Sequence, residues 1–266
     1  MATLVFFHAH PDDESMTTAG TMAAAADAGH RVVLVVATRG EQGQPKPGVL
    51  RPGEPLSARR EAETQRSAEI LGVDRVHFLG YLDSGMMGEP TNDDPGSFWR
   101  ADVEQASSIL AGILREEGAD ALTIYDEWGT YGHPDHIQVH RVGRRAATRA
   151  GLAPSRVFAA TIGRTRVDEL RAAARRQNRD VDEPPEWAEL GVPDELITHE
   201  VDVSALSERK RRSMEAHRSQ ISDDDSFMQL APDAFRAAFG IESYICLGAT
   251  RPPGQPPRDD LWAGLP

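Results

Sequence analysis

The chain carries one cysteine, Cys246, so a disulfide within the chain is excluded. That thiol lies in the apolar run Tyr244-Ile245-Cys246-Leu247, where a buried and inert cysteine is expected. No apolar stretch reaches the about eighteen residues of a membrane helix. The opening Met1-Ala2-Thr3-Leu4-Val5-Phe6-Phe7 also lacks the basic start and longer apolar core of a secretory signal, which points to a cytoplasmic protein with no membrane insertion. Basic residues are in deficit: 29 Lys plus Arg against 42 Asp plus Glu leave a formal charge of −13. That balance opposes non-specific attraction to nucleic acid or anionic lipid. The first apolar run is not followed by the Gly-x-Gly-x-x-Gly turn of a dinucleotide binder. Internal repeats are missing, as is any linker long enough to set off an independent domain. What remains, 266 residues at 39% apolar and 27% charged, is ordinary globular composition with enough length for a sizeable core.

The first 160 residues alternate short apolar runs with helix-like segments, the pattern of parallel sheets built from right-handed crossovers. Strands are expected at Leu4–His8, Arg31–Thr38, Val76–Leu79 and Ala121–Tyr125; helices are expected at Ser15–Gly29, Ser57–Leu71 and Phe98–Glu117, with another after Pro134. The fold class is therefore α/β: a Rossmann-like, largely parallel sheet flanked by helices, with a C-terminal α+β extension. The expected organisation is one domain over 1–266, with a core over 1–165 and an extension over 166–266 that completes the substrate pocket. Beyond Arg164 a basic helix-like segment runs to Arg179, followed by a Pro-rich turn at 183–186 and a strand at Ile197–Val203. The run Arg209-Lys210-Arg211-Arg212 reads as a solvated helix face. Two stretches rich in Gly and Pro, 39–55 and 82–97, read as long loops and candidates for covering a site.

Two clusters carry chemistry. His10-Pro11-Asp12-Asp13-Glu14 stands where the first strand gives way to a helix, the sheet edge at which open α/β folds bind ligands. Pro11 fixes its own φ and keeps His10 extended, so the turn can bring His10 and Asp13 to one point. Asp12 then projects differently, one carboxylate serving a metal and the other proton transfer. Tyr131-Gly132-His133-Pro134-Asp135-His136 follows the strand ending at Tyr125. Either cluster alone is weak, since Asp commonly caps helices and His beside Pro is frequently a turn residue. Together they supply His10, Asp13 and His136, a two-histidine, one-carboxylate set that suits a catalytic zinc with a position left for water. His140, four residues after His136, competes for the third ligand place, and His8 reads as packing or support.

The paired motifs Ala9-His10-Pro11-Asp12-Asp13-Glu14 and His133-Pro134-Asp135-His136 resemble those of the zinc-dependent N-deacetylases of the LmbE/PIG-L type, including the mycothiol deacetylase and mycothiol S-conjugate amidase branch. The likeness runs on through Thr38-Arg39-Gly40-Glu41-Gln42-Gly43, Arg60 with Glu63, Asp83-Ser84-Gly85-Met86 and Tyr125-Asp126-Glu127. Ala216-His217-Arg218-Ser219-Gln220 and Asp260-Leu261-Trp262-Ala263-Gly264 look like C-terminal landmarks of the mycothiol branch. The resemblance implies one Zn2+ per chain on His10, Asp13 and His136, with another divalent ion such as Fe2+ compatible with that donor set. It implies Asp12 as general base, His133 as the group assisting the charged intermediate, Asp135 as the acidic partner that keeps His133 protonated, and Tyr131 as a tyrosine near the substrate carbonyl. Arg60 and Asp83 match positions that hold sugar or cyclitol hydroxyls. One departure concerns substrate choice: Gln44 stands where the mycothiol enzymes tend to have Glu.

The expected reaction is removal of an N-acetyl group from an N-acetylglucosaminyl compound, a GlcNAc-inositol-like pseudodisaccharide, by activated water. The small-molecule partner is thus an amidated amino sugar, or a thiol conjugate if the chain is an S-conjugate amidase. An antibiotic-pathway sugar deacetylase fits the same motifs. The different-class rivals are a non-catalytic sugar- or nucleotide-binding α/β protein and a two-metal phosphoesterase, which generally needs more bridging ligands than these clusters offer.

Overall fold

The computed structural model describes residues 1–176 and 190–265, and among them the alternation forms a seven-stranded sheet of order β3-β2-β1-β4-β5-β7-β6. β1 (Thr3–His8), β2 (Arg31–Thr38), β3 (Arg75–Tyr81), β4 (Ala121–Tyr125) and β5 (Val157–Thr161) run parallel. β6 (His199–Asp202) and β7 (Ile241–Cys246) complete one edge, with β7 antiparallel to both β5 and β6. Val32 to Ala37 are fully buried along β2, as are Val5 to Phe7 along β1, which is why these strands read as continuous apolar runs: helices cover both faces. Those helices are α1 (Asp13–Thr17), α2 (Ala19–Asp27), α3 (Leu56–Leu71), α4 (Val103–Glu116), α5 (Gly129–Gly132, one turn), α6 (Pro134–Ala150), α7 (Arg164–Arg176), α8 (Ser207–Ala216) and α9 (Pro232–Phe239).

Several boundaries differ from the sequence reading for local reasons. The helix expected over Ser15–Gly29 is broken into α1 and α2 at Thr18, whose φ of −134° is non-helical and whose hydroxyl bonds His8 Nε2 (2.9 Å). The helix expected from Phe98 starts at Val103, because the Asp102 carboxylate caps it by accepting the Gln105 N–H (2.8 Å). The run at 209–212 is not simply a solvated face. Lys210 is buried and donates to Glu242 (2.7 Å), whose carboxylate also accepts the Gly20 and Thr21 N–H groups at the start of α2. The Pro-rich turn at 183–186 lies outside the described residues. Cys246 is buried, and burial raises its thiol pKa, in keeping with an inert role. Among the described residues no helix is long and apolar enough to cross a membrane.

The connectivity places the chemistry. β1 lies between β2 and β4, so the chain winds outward in opposite directions from the β1/β4 pair, and the crevice beyond their carboxyl ends is the natural ligand position of such a sheet. Both His-Pro-Asp clusters leave from those two ends.

The antiparallel edge carries a pH-sensitive group of its own. His199 is buried on β6, bonded through Nδ1 to the Thr198 hydroxyl (2.8 Å) and edge-on to Phe158. Burial, with Arg258 adding to it, lowers its pKa to about 4 from an unfolded value of 6.5. Between those values the unfolded chain binds a proton that the folded chain does not, so this stability is present above pH 6.5 and is lost as the pH falls toward 4. The expected loss is less than the about 1.4 kcal/mol per pH unit of one fully shielded proton. Melting temperatures of wild type and His199→Gln compared between pH 7 and 4.5 test this: the variant should lose less on acidification, and parallel curves would refute it.

Candidate metal centre

The turn after β1 folds back on itself as the position of Pro11 suggests. Asp13 Oδ2 accepts the His10 backbone N–H (2.7 Å) and lies 3.5 Å from His10 Nδ1, while Asp13 Oδ1 lies 3.4 Å from His136 Nε2. The helix-cap alternative therefore fails for both aspartates: the Asp13 side chain turns back to His10, and the Asp12 side chain makes no cap bond. Separations of 3.4–3.5 Å are long for hydrogen bonds. They approach the about 3.3–3.4 Å that separates ligands standing 2.0–2.1 Å from one tetrahedral cation.

Donor atoms of His10, His133 and His136 lie within 4.8 Å of one another, as do those of His10, Asp83 and Asp135, so the cluster could hold a metal ion. Proton positions narrow the choice. His133 Nδ1 accepts the Asp135 backbone N–H (3.1 Å), capping α6, so its neutral ring carries the proton on Nε2 and has no lone pair left for a cation. His10 Nε2 donates to Asp135 Oδ2 (3.1 Å), which leaves His10 Nδ1 as its open nitrogen, beside Asp13. His136 presents Nε2 to Asp13, and its Nδ1 has no hydrogen-bond partner among the described residues. Asp13 thus stands between His10 Nδ1 (3.5 Å) and His136 Nε2 (3.4 Å), and two imidazoles with a carboxylate are donors that suit a divalent cation such as zinc.

The carboxylates around His10 favour positive charge there, whether a proton's or a cation's. Burial opposes ionisation at His10, yet the carboxylates of Asp13, Asp135 and Asp83 outweigh it and hold the imidazole well above its ordinary pKa. Asp13, against the same burial, is held well below the usual carboxylate range by His136 and His10. Asp12 shifts the other way: burial raises it, with Arg60 opposing. Burial and the neighbouring His10 and His136 lower His133 to about 2.

Two roles implied by the family resemblance change. Asp135 does not pair its carboxylate with His133; that carboxylate faces His10 Nε2 and accepts both the N–H and the hydroxyl of Ser84. His133 is accordingly neutral rather than kept protonated, though its Nε2–H remains a donor. The physical reason is the cap: with His133 Nδ1 holding the Asp135 backbone, the Asp135 side chain leaves on the other side of the first turn of α6. Arg60 is buried, and its guanidinium reaches the carbonyls of Pro11 and Gly40 and the Asp12 carboxylate (3.2 Å), so its first contact is with the motif and not with a free surface.

Asp83 is also buried. It accepts the Gly85 N–H on Oδ1 (2.9 Å) and the Gln42 N–H on Oδ2 (3.2 Å), while its own N–H donates to Glu41 (3.1 Å). Asp83 thereby ties the loops 39–55 and 82–97 together beside His10; Gln44 is exposed on the first of them. His8 and His140 stand outside these donor groups. The former has both nitrogens on the hydroxyls of Tyr125 and Thr18, and the latter bonds the Tyr125 carbonyl (2.8 Å). Tyr125 in turn stacks on His136 at 4.5 Å.

Tyr131 reaches the centre from a strained turn. Its hydroxyl lies 3.5 Å from His136 Nε2, and burial together with Asp13 raises the phenol pKa, so it stays a donor. Thr130 before it has φ 66° and ψ −58°, a costly conformation for a β-branched residue. Asp126 holds that turn by accepting the Trp128 and Thr130 N–H groups on one oxygen and the Thr161 hydroxyl on the other. Gly129 has φ 63°, and a Cβ there would stand 2.6 Å from that of His136, so glycine is required for the turn to lie against α6. Asp12 is the other described non-glycine residue at positive φ, 97°, a strain of about 1–3 kcal/mol placed at the candidate base.

The chain is similar to known proteins over nearly its whole length. The profile of the family described as PIG-L, GlcNAc-PI de-N-acetylase, matches residues 5–147. The chain is 40% identical to a 1D-myo-inositol 2-acetamido-2-deoxy-alpha-D-glucopyranoside deacetylase of Acidothermus cellulolyticus, over 99% of this chain and 95% of that protein. It is 38% identical to the protein of the same name from Thermomonospora curvata, over 99% and 97%. Among solved structures, the N,N'-diacetylchitobiose deacetylase of Pyrococcus horikoshii shares the fold with a TM-score of 0.58 at 23% identity, covering 92% of this chain and 84% of that one.

Proposed function

We propose, from the premise that the chain belongs to the GlcNAc-PI de-N-acetylase (PIG-L) family and is an N-deacetylase that hydrolyses a carbon–nitrogen amide bond, that its substrate is an N-acetylglucosaminyl-inositol and its metal zinc. The observation that supports this substrate is the near full-length similarity to the inositol acetamido-sugar deacetylases, which reaches past the family profile into the C-terminal third. His10, Asp13 and His136 would hold the cation. When bound, such an ion supplies Lewis acidity, polarising an amide carbonyl and making water acidic near neutral pH.

The chain's own residues do the rest. Asp12, its pKa raised toward the working range of a base, takes the proton of the attacking water. Neutral His133 donates its Nε2–H to the oxygen of the tetrahedral carbon, and the Tyr131 hydroxyl adds a second donor. Asp12 then returns the proton to the leaving nitrogen as the carbon–nitrogen bond breaks, giving acetate and a primary amine. Asp135, fixing the tautomer of His10, positions a ligand; Asp83 shapes the pocket by joining its two loops.

Zinc-loaded protein incubated with GlcNAc-inositol, a mycothiol S-conjugate and simple N-acetylglucosaminides tests this reading. Acetate and free amine should be released from GlcNAc-inositol with kcat/KM at least about tenfold above the simple glycosides, since binding energy from the remote ring acts on the reacting centre. Cleavage of the S-conjugate without acetate release from GlcNAc-inositol would overturn it.

A further inference from the structure

We infer that His217, in the C-terminal part of the chain, is a positioning residue for Asp12 and acts through Glu14. The inference rests on the reading of Asp12 as proton acceptor. Asp12 sits at φ 97°, a conformation its own side chain disfavours, so something around it must hold it there. Its backbone N–H donates to Glu14 Oε2 (3.0 Å). The other oxygen of that carboxylate, Oε1, receives His217 Nε2 (2.6 Å) and the Ser67 hydroxyl (2.6 Å). Glu14, Ser67 and His217 are all fully buried. A carboxylate in such a place needs a strongly donating partner, and the buried His217, with Nε2 at 2.6 Å, is that partner.

The frame behind this contact is built for it. α3 turns a polar face inward at Arg60, Glu63, Thr64 and Ser67, the spacing of one helix stripe. Arg60 grips Pro11 and Asp12 from one side, Ser67 grips Glu14, and Glu63 accepts both the N–H and the hydroxyl of Ser219, two residues beyond His217. The segment 217–219 is thus locked to the helix that holds the catalytic motif. Removing His217 leaves Oε1 of the buried Glu14 with the Ser67 hydroxyl alone and frees the Asp12 peptide to relax, while Asp13 keeps its separate bond to the His10 N–H.

The test is a double-mutant cycle of Asp12→Asn with His217→Ala, and with His217→Gln, whose amide nitrogen can replace the lost donor. His217→Ala should lower kcat on the order of 10–100-fold, as expected for a misplaced reacting group, with KM and bound zinc per chain unchanged. His217→Gln should recover most of the loss. In the Asp12→Asn background, His217→Ala should have no further effect, because nothing remains to be positioned. Should the alanine variant fail to fold, the glutamine variant carries the same cycle, with a smaller kcat loss that again vanishes beside Asp12→Asn. An undiminished kcat in His217→Ala, or a loss that multiplies with that of Asp12→Asn, overturns the inference and leaves the role of Asp12 intact. Near-normal turnover of Asp12→Asn alone removes the role of Asp12 and this inference with it.

Discussion

Asp12→Asn is expected to lower kcat by about 10²–10⁴-fold, the usual value of a positioned acid or base, while zinc content and melting temperature stay near those of the wild type. The substitution changes one atom and keeps the shape. Asn tolerates positive φ better than most residues, so the strained backbone at 97° is not made worse and the turn around His10 and Asp13 persists. Arg60 loses a carboxylate partner (3.2 Å) but keeps the carbonyls of Pro11 and Gly40. What disappears is the ability to accept a proton from water and return it to the departing nitrogen. Steady-state kinetics, metal analysis and thermal melting on one preparation separate these effects. Turnover within tenfold of wild type would remove Asp12 from the chemistry; a large drop in bound zinc would make it a ligand instead.

The residues that matter most are legible in the sequence because proline and strand ends constrain them. His10 and Asp13 can be paired from Pro11 alone, and His136 follows from a second His-Pro-Asp at another strand end. Of the four inner parallel strands, β1, β2 and β4 are equally legible, since burial on both faces leaves unbroken apolar runs, whereas β5, with Ala159-Ala160 at its centre, lacks the branched residues that mark a strand. The antiparallel edge is harder. β7 carries Glu242 inward among apolar neighbours, and the charge that hides the strand exists to meet Lys210 and the start of α2. The partner of Asp135 is not readable either, because it depends on which nitrogen of His133 caps α6. Glu14 and His217 are 203 positions apart, and no local spacing rule links them. A signal was nonetheless present on α3, where Arg60, Glu63, Thr64 and Ser67 repeat at helical intervals and mark a polar face that must meet buried polar partners.

Removing the carboxylate at Asp13 should have the largest effect on the metal. With Asp13→Ala, apparent zinc affinity should fall by a factor on the order of 10³ or more, and deacetylation should be lost at ordinary zinc concentrations. Both oxygens of this side chain are engaged, one near His136 Nε2 and one on the His10 N–H beside Nδ1, so the change removes a ligand and the brace that orients another. The contrast with Asp135→Asn makes the prediction specific. There the ligands all remain, and what changes is the acceptor for His10 Nε2 and for the N–H and hydroxyl of Ser84, so the loss of affinity should be about 10–100-fold, the usual cost of disturbing a residue behind a metal ligand. Competition titration with a chromophoric chelator measures both variants without reference to turnover. If Asp13→Ala bound zinc like the wild type while Asp135→Asn did not, the cation would have to sit on the other side of His10, between Asp83 and Asp135, whose donor atoms also lie within 4.8 Å of His10 and of each other. Asp12 would then stand away from the reacting water, and the proton path proposed for it could not operate.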